Sequence, residues 1–237
     1  MNFNLIIKAI YAAFLTNKIG IKLKKIHVSA EKLKIRRDYA GTLLGKLGIV
    51  VEVRGKEKLV KGEQYLLVSN HRSIIDPLII EIALKDADIY GHWIAKKELF
   101  NSFFFGVFTR NAGTILLDRD SKQMNSFFKT TKECVTQGDS IFVFPEGTRT
   151  KDDARLSHFK DGSQLIAVKN RLNILPVYIK TDSNDALKQA LSKKPKNSTV
   201  VIEIGDVINY KDRSMGLEDA YRQMFDIVEH RKKKRSL

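Results

Sequence analysis

The chain has one cysteine in 237 residues, Cys134, so no internal disulfide can form, and no cluster of Cys and His has the spacing of a zinc site. It has only four prolines and no low-complexity stretch, and 43% of its residues are hydrophobic. A disordered or fibrous chain is thereby excluded. No long hydrophobic run is present either. The most apolar N-terminal stretch, residues 5–15, is interrupted by Lys8 and falls short of the roughly 20 residues needed to span a bilayer, and no small-residue cleavage site follows it. The expectation is a protein that does not cross a membrane, kept in a reducing compartment. There is no Gly-x-Ser-x-Gly elbow of a serine esterase, no zinc finger, no RNA-recognition signature and no internal repeat.

Acidic residues are also in short supply. With 42 Lys and Arg against 27 Asp and Glu, the net charge is +15 and the isoelectric point near 9.8. Such a balance points to an anionic partner, a phospholipid surface or a nucleic acid. The imbalance is sharpest in residues 1–37, where nine Lys and Arg face one acid, Glu31. Phe3, Ile6, Ile7, Ile10 and Phe14, then Ile19, Leu23 and Ile26, recur there at helical spacing. A basic amphipathic helix or helix pair of that kind can lie in an anionic lipid interface; the plain alternative is a helix packed on the protein with solvated lysines.

After residue 47 the pattern changes to short apolar runs alternating with helical ones, as in an α/β sheet covered by helices. Some connections are too short for crossovers, so the sheet should be mixed. Strands are expected at 49–53, 65–69, 89–95, 114–117, 141–144, 174–179 and 199–204. Pro176 suggests an edge or bulge position for its strand. Polar residues 181–198 read as the most loop-like part, and 103–108 as an aromatic helix that either packs in the core or meets an acyl chain or lipid. The division expected is a basic helical membrane-contact segment at 1–46, a catalytic domain at 47–230 and a basic tail at 231–237.

The strand at 65–69 runs into Asn70, His71, Arg72, Ser73, Ile74, Ile75, Asp76 and Pro77. Turns at the carboxyl ends of strands are where open α/β sheets place ligands. Pro77 suits the first helical position and makes Asp76 the expected N-cap. His71 would fold back over that helix start, where the Asp76 carboxylate could orient one imidazole nitrogen and leave the other as a base. On spacing alone, a cap and an unrelated loop histidine fit the same residues. His92 reads as structural and Cys134 as a core thiol.

Asn-His-x-Ser-x-x-Asp at 70–76 resembles the first signature block of the glycerolipid acyltransferases, the family that includes 1-acylglycerol-3-phosphate acyltransferases. Gly113 to Arg119 resembles the second block, Phe144-Pro145-Glu146-Gly147-Thr148-Arg149 the third, and Ile174-Leu175-Pro176-Val177 the fourth and weaker one. The resemblance covers about residues 47–210. It implies that fold, a mixed sheet flanked by helices with an N-terminal amphipathic layer, and acyl transfer from acyl-CoA or acyl carrier protein to the sn-2 hydroxyl of a lysophosphatidate. The thioester is a co-substrate; no cofactor or metal is implied.

In that chemistry His71 and Asp76 would be catalytic, with Asn70, Ser73, Lys97, Arg119, Glu146, Gly147, Thr148 and Arg149 binding substrate. Arg119 and Arg149 can grip a phosphate bidentately, Lys97 adds a point charge, and Gly147 permits close backbone approach. The expected partners are an anionic membrane surface, the lysophospholipid and the acyl donor, at the cytoplasmic face of the cell membrane. Glycerol-3-phosphate or another lysophospholipid is the alternative acceptor. A basic nucleic-acid-binding protein and a thioesterase are the readings from other classes.

Overall fold

Strand β2 (Tyr65–Ser69) is buried at every position, and its side chains feed two separate cores. Leu67 points into one apolar cluster, Leu66 and Val68 into the other. A strand that is apolar on both faces belongs in the middle of a parallel sheet sheathed by helices. The computed structural model describes residues 3–118, 124–151 and 154–228 and bears this out. The expectations for Arg119 and for the tail at 231–237 lie outside the described residues.

The chain runs α1 (Phe3–Lys24), α2 (Ser29–Lys46), β1 (Ile49–Arg54), β2, α3 (Asp76–Ala83), β3 (Gly91–Lys96), α4 (Lys97–Phe100), α5 (Gly106–Asn111), β4 (Ile115–Leu117), α6 (Met124–Thr136), β5 (Ser140–Val143), α7 (Gly162–Asn170), β6 (Asn173–Ile179), α8 (Ser183–Ala190), β7 (Ser198–Ile204) and α9 (Leu217–Met224). Seven strands form one sheet in the order β1-β7-β6-β2-β5-β3-β4. β6, β2, β5, β3 and β4 are parallel; β7 pairs antiparallel with β6, and β1 lies parallel to β7. The sheet is mixed, as expected. Residues of α2, α3 and α8 cover one face, and those of α6, α7 and α9 the other.

Helix α2 is bolted to this body rather than laid over it. Arg36, 5% exposed, donates to the carbonyls of Ala112 and Gly91, and Arg37 reaches those of Leu84 and Lys85 just past α3. The helix stops where Gly48 takes φ +66°, a conformation glycine adopts without strain. Helix α1 packs through Thr16, Gly20 and Leu23 but turns Ile7, Ile10, Tyr11, Phe14 and Ile21 outward.

Three local expectations are corrected. Pro176 sits in an interior strand, not at an edge. Ile174 donates to Ile208 on the β7 side, so the N–H that Pro176 lacks would point the same way. There β7 has already ended at Ile204, and the Pro176 carbonyl accepts from Gly205. The loop expected at 181–198 contains α8, started by Asp182, whose carboxylate accepts from the N–H groups of Asn184 and Asp185. Phe103, Phe104 and Phe105 lie in a turn ahead of α5, not on a helix face. They are exposed, Phe103 at 89%.

Candidate active site

The carboxyl ends of β2, β3, β4, β5 and β6 share one rim, because these five strands are parallel. Asn70 leaves the end of β2. Its side-chain amide spans to β6, donating to the Ile179 carbonyl at 3.0 Å and accepting from the Ile179 N–H at 2.8 Å. Its backbone N–H donates to the Tyr221 hydroxyl of α9, which in turn donates to the Val177 carbonyl. Tyr221 is fully buried, and that burial pushes its hydroxyl pKa well up, so the group stays a donor.

His71 is held on both backbone sides by the third block and the residue that follows it. Its N–H donates to Glu146 Oε1 at 2.7 Å, and its carbonyl accepts from the Thr150 N–H at 2.7 Å. Glu146 Oε2 accepts from the Thr150 hydroxyl and from the Ser157 N–H. Burial pushes Glu146 up from the ordinary carboxylate range, and these three donors oppose the shift. Gly147 makes the tight turn possible, with φ +67° and its N–H bonded to the Phe144 carbonyl.

The imidazole is fixed by two neighbours, and its second nitrogen is open. Nδ1 lies 2.8 Å from Asp76 Oδ2, one ring face stacks on Phe144 with centroids 4.0 Å apart at 11°, and Nε2 has no hydrogen-bond partner among the described residues. The His71 side chain is 18% exposed and that of Asp76 0%. Asp76 Oδ2 also accepts from the N–H groups of Arg72 and Ser73, at 2.6 and 2.7 Å, while Oδ1 accepts from the Ser183 hydroxyl at 2.5 Å. Four donors thus meet a fully buried carboxylate. An acceptor already engaged by two backbone donors takes its third bond from Nδ1–H, which leaves the Nε2 lone pair outward.

Asp76 does not cap α3. It is the first helical residue, Ile75 occupies the N-cap position without a side-chain cap bond, and the carboxylate turns back into the 71–73 loop. Pro77 stands in the first helical turn as expected.

Asn70, Ser73 and Glu146 are buried and make their hydrogen bonds within the protein. Thr148 and Arg149 are exposed on the same turn as Glu146. Lys97, where β3 passes into α4, pairs with the buried Asp118 at 2.7 Å. Among the described residues no three His, Cys, Asp or Glu side chains converge as metal ligands would. Sequence reasoning assigned no role to Ser183, Tyr221, Thr150, Ser157 or the Phe144 ring. It also missed the 2.7 Å pair of Arg72 with Asp182. The run Asp182-Ser183-Asn184-Asp185 carried a helix-start signal that could have disclosed α8, though not the contact of Ser183 with Asp76.

A His–Asp pair with the carboxylate buried and one ring nitrogen open on a strand-end rim is general-base geometry. A family model described as Acyltransferase matches residues 50–180, which contain every block around this rim.

The chain belongs to the acyltransferase family.

This acyltransferase is 40% identical over 115 residues to the 1-acyl-sn-glycerol-3-phosphate acyltransferase of Helicobacter pylori, covering 48% of this chain and 47% of that one. It is 31% identical over 162 residues to the probable 1-acyl-sn-glycerol-3-phosphate acyltransferase of Mycoplasma genitalium, covering 65% and 59%. The matches thus span about half the length of these curated relatives. Its fold is like that in the crystal structure of the 1-acyl-sn-glycerophosphate (LPA) acyltransferase PlsC from Thermotoga maritima, with a TM-score of 0.67 over 96% of this chain and 92% of that one at 22% identity. Ser183 and Tyr221 lie beyond the segment matched by the family model.

Proposed function

We propose that this acyltransferase moves a fatty acyl group from an acyl-CoA or acyl carrier protein thioester to the sn-2 hydroxyl of 1-acylglycerol-3-phosphate, giving phosphatidate for phospholipid synthesis. The observation that carries the proposal is the His71–Asp76 pair with Nε2 open. His71 Nε2 takes the acceptor hydroxyl proton as that oxygen attacks the thioester carbonyl. Asp76 keeps the other ring proton on Nδ1 and steadies the imidazolium. Collapse of the tetrahedral intermediate breaks the C–S bond, and the leaving thiolate recovers the proton. Because a thiolate leaves readily, no covalent acyl-enzyme is called for.

Arg149, on the exposed turn beside His71, is assigned to the acceptor phosphate, with Arg119 as its partner and Lys97 adding charge at the neighbouring strand end. The relatives named for 1-acyl-sn-glycerol-3-phosphate support this acceptor.

The site works at a membrane surface, facing the cytoplasm. No helix among the described residues is long and apolar enough to cross a membrane. Instead α1 presents an apolar stripe outward, with Ile10 and Phe14 each 64% exposed, beside Lys18 and Lys22. Asn17 of α1 donates to the Phe104 carbonyl, which sets the exposed phenylalanine turn beside that stripe. A helix whose apolar face is turned away from its own protein suits insertion into an anionic lipid interface.

The test is acyl transfer from labelled acyl-CoA and acyl carrier protein into lysophosphatidate and a panel of other acceptors. Lysophosphatidate-dependent product is expected, and His71→Ala should lower turnover at least about 10²-fold with the fold intact. Near-normal turnover in that variant would remove His71 as the base. Transfer only to glycerol-3-phosphate or to another lysophospholipid would replace the acceptor.

A further inference from the structure

The stack that covers His71 does not end at Phe144. Phe144 lies against Trp93, centroids 4.9 Å apart at 22°, and Trp93 and Phe142 make a T-shaped contact at 5.3 Å. The indole Nε1–H of Trp93 donates to Glu81 Oε1 at 3.1 Å, and that oxygen also pairs with Arg36 of α2 at 2.7 Å. The Arg36 and Glu81 side chains are 6% and 4% exposed. Glu81 Oε2 is buried without a hydrogen-bond partner among the described residues. As a stabiliser this is a poor arrangement, because an apolar cluster of the same volume would hold α2 to α3 without stranding a carboxylate oxygen. What it does achieve is a fixed indole plane. One edge is tied by the hydrogen bond, and one face is set against Phe144.

We propose that Trp93 is a positioning residue for His71, holding Phe144 flat against the imidazole, with the Arg36–Glu81 pair fixing the indole in turn. This rests on the reading of His71 as the base. A hydrogen bond at Nδ1 alone lets the ring rock about it; a face contact removes that freedom and keeps Nε2 aimed at the acceptor hydroxyl. When the ring takes up the proton, the cation also lies over an aromatic face, which attracts it. Because Trp93 acts through Phe144 and not on the acceptor, it governs turnover and leaves acceptor KM alone.

The experiment compares Phe144→Leu, Trp93→Leu and the double variant in the full chain, by kinetics and by NMR of the His71 ring carbon-bound protons. Ring current from the stacked phenylalanine shifts those protons upfield. Phe144→Leu is expected to abolish that shift and to lower kcat about 10-fold. Trp93→Leu should weaken both effects, and the double variant should be no worse than Phe144→Leu, since the two residues act in series. Trp93→Phe, which keeps a ring against Phe144, should recover most of the turnover. Acceptor KM should stay within about 2-fold throughout.

A folded Trp93→Leu protein with normal kcat, an unmoved His71 resonance, or additive losses in the double variant would overturn the proposal. If Trp93→Leu does not fold, Trp93→Met carries the same comparison under the same criteria. An inactive wild type, or a fully active His71→Ala, would instead defeat the base assignment, and the ring shifts would still report whether Trp93 sets the stack.

Discussion

Asp76 shows how much of the site's cost is met one residue at a time. A carboxylate with no solvent exposure requires donors on every side. Two come from the backbone of its own loop, one from His71 and one from Ser183, which is 107 positions away in sequence. Among the described residues only the Ser183 hydroxyl approaches Oδ1, so its removal leaves that buried oxygen without a partner there. Ser183→Ala should therefore cost about 1–3 kcal/mol of folding stability and lower kcat without changing acceptor KM. Urea unfolding beside steady-state kinetics would check this. A variant as stable and active as wild type would show that Oδ1 needs no donor. Arg149 poses the converse case, an exposed side chain whose proposed role, on the acceptor phosphate, faces outward. Arg149→Lys keeps the charge and loses the bidentate fork, so apparent acceptor KM should rise with kcat nearly unchanged. An unchanged KM would count against phosphate binding at that residue.

At the scale of elements, the strands and most helices were legible because each is short, apolar and bounded by glycine or polar residues. The exceptions have physical causes. Helix α8 offers only Ala186, Leu187 and Ala190 as an apolar stripe, so periodicity alone missed it, although its Asp182 cap was written in the chain. The His71–Asp76 contact could be anticipated within one loop. The supports from Ser183, Tyr221 and Thr150 could not, because tertiary folding alone sets distances between residues so far apart in sequence.

The phenylalanine turn at 103–105 was read as a helix because four aromatics in six residues mimic an apolar face. Its exposure now gives it a different consequence. Replacing Phe103 and Phe104 together by Ser removes two rings from the outward surface beside α1 while touching no buried contact of the sheet. Binding to vesicles containing anionic phospholipid should weaken several-fold, whereas unfolding temperature should hardly move. Equal co-sedimentation of variant and wild type would count against a lipid contact by this turn.

The whole molecule has a second His–Asp pair, and its chemistry is opposite to that of the first. It sits at the amino ends of β3 and β5, across the sheet from the rim. His92 Nε2 lies 2.8 Å from Asp139 Oδ2 and Nδ1 lies 2.6 Å from the Gly113 carbonyl, so both ring nitrogens face acceptors and the ring is held as imidazolium. Ser29, the first residue of α2, donates to the same Asp139 oxygen. The cluster therefore joins α2, β3, the start of β5 and the segment before β4.

Burial alone would push the His92 pKa down. The hydrogen bond to Asp139, with Cys134 and the Gly113 carbonyl adding to it, overcomes that and pushes it up to about 9 from 6.5. Burial would likewise push Asp139 up, and the bonds from His92 and Ser29 bring it below its ordinary value. For His92 the raised folded pKa means stability fully present below about pH 6.5 and lost as pH rises through about 9, on the order of 3 kcal/mol. For Asp139 the lowered value means stability present above the ordinary carboxylate range and lost in acid.

His92→Gln should thus be less stable than wild type at pH 6.5, show a flatter decline from there to pH 9, and approach wild type above pH 10. Unfolding curves of the two proteins that stay parallel across that range would show that His92 carries no folding-linked proton. Convergence would locate the alkaline weakness of the fold at the end of the sheet remote from the base.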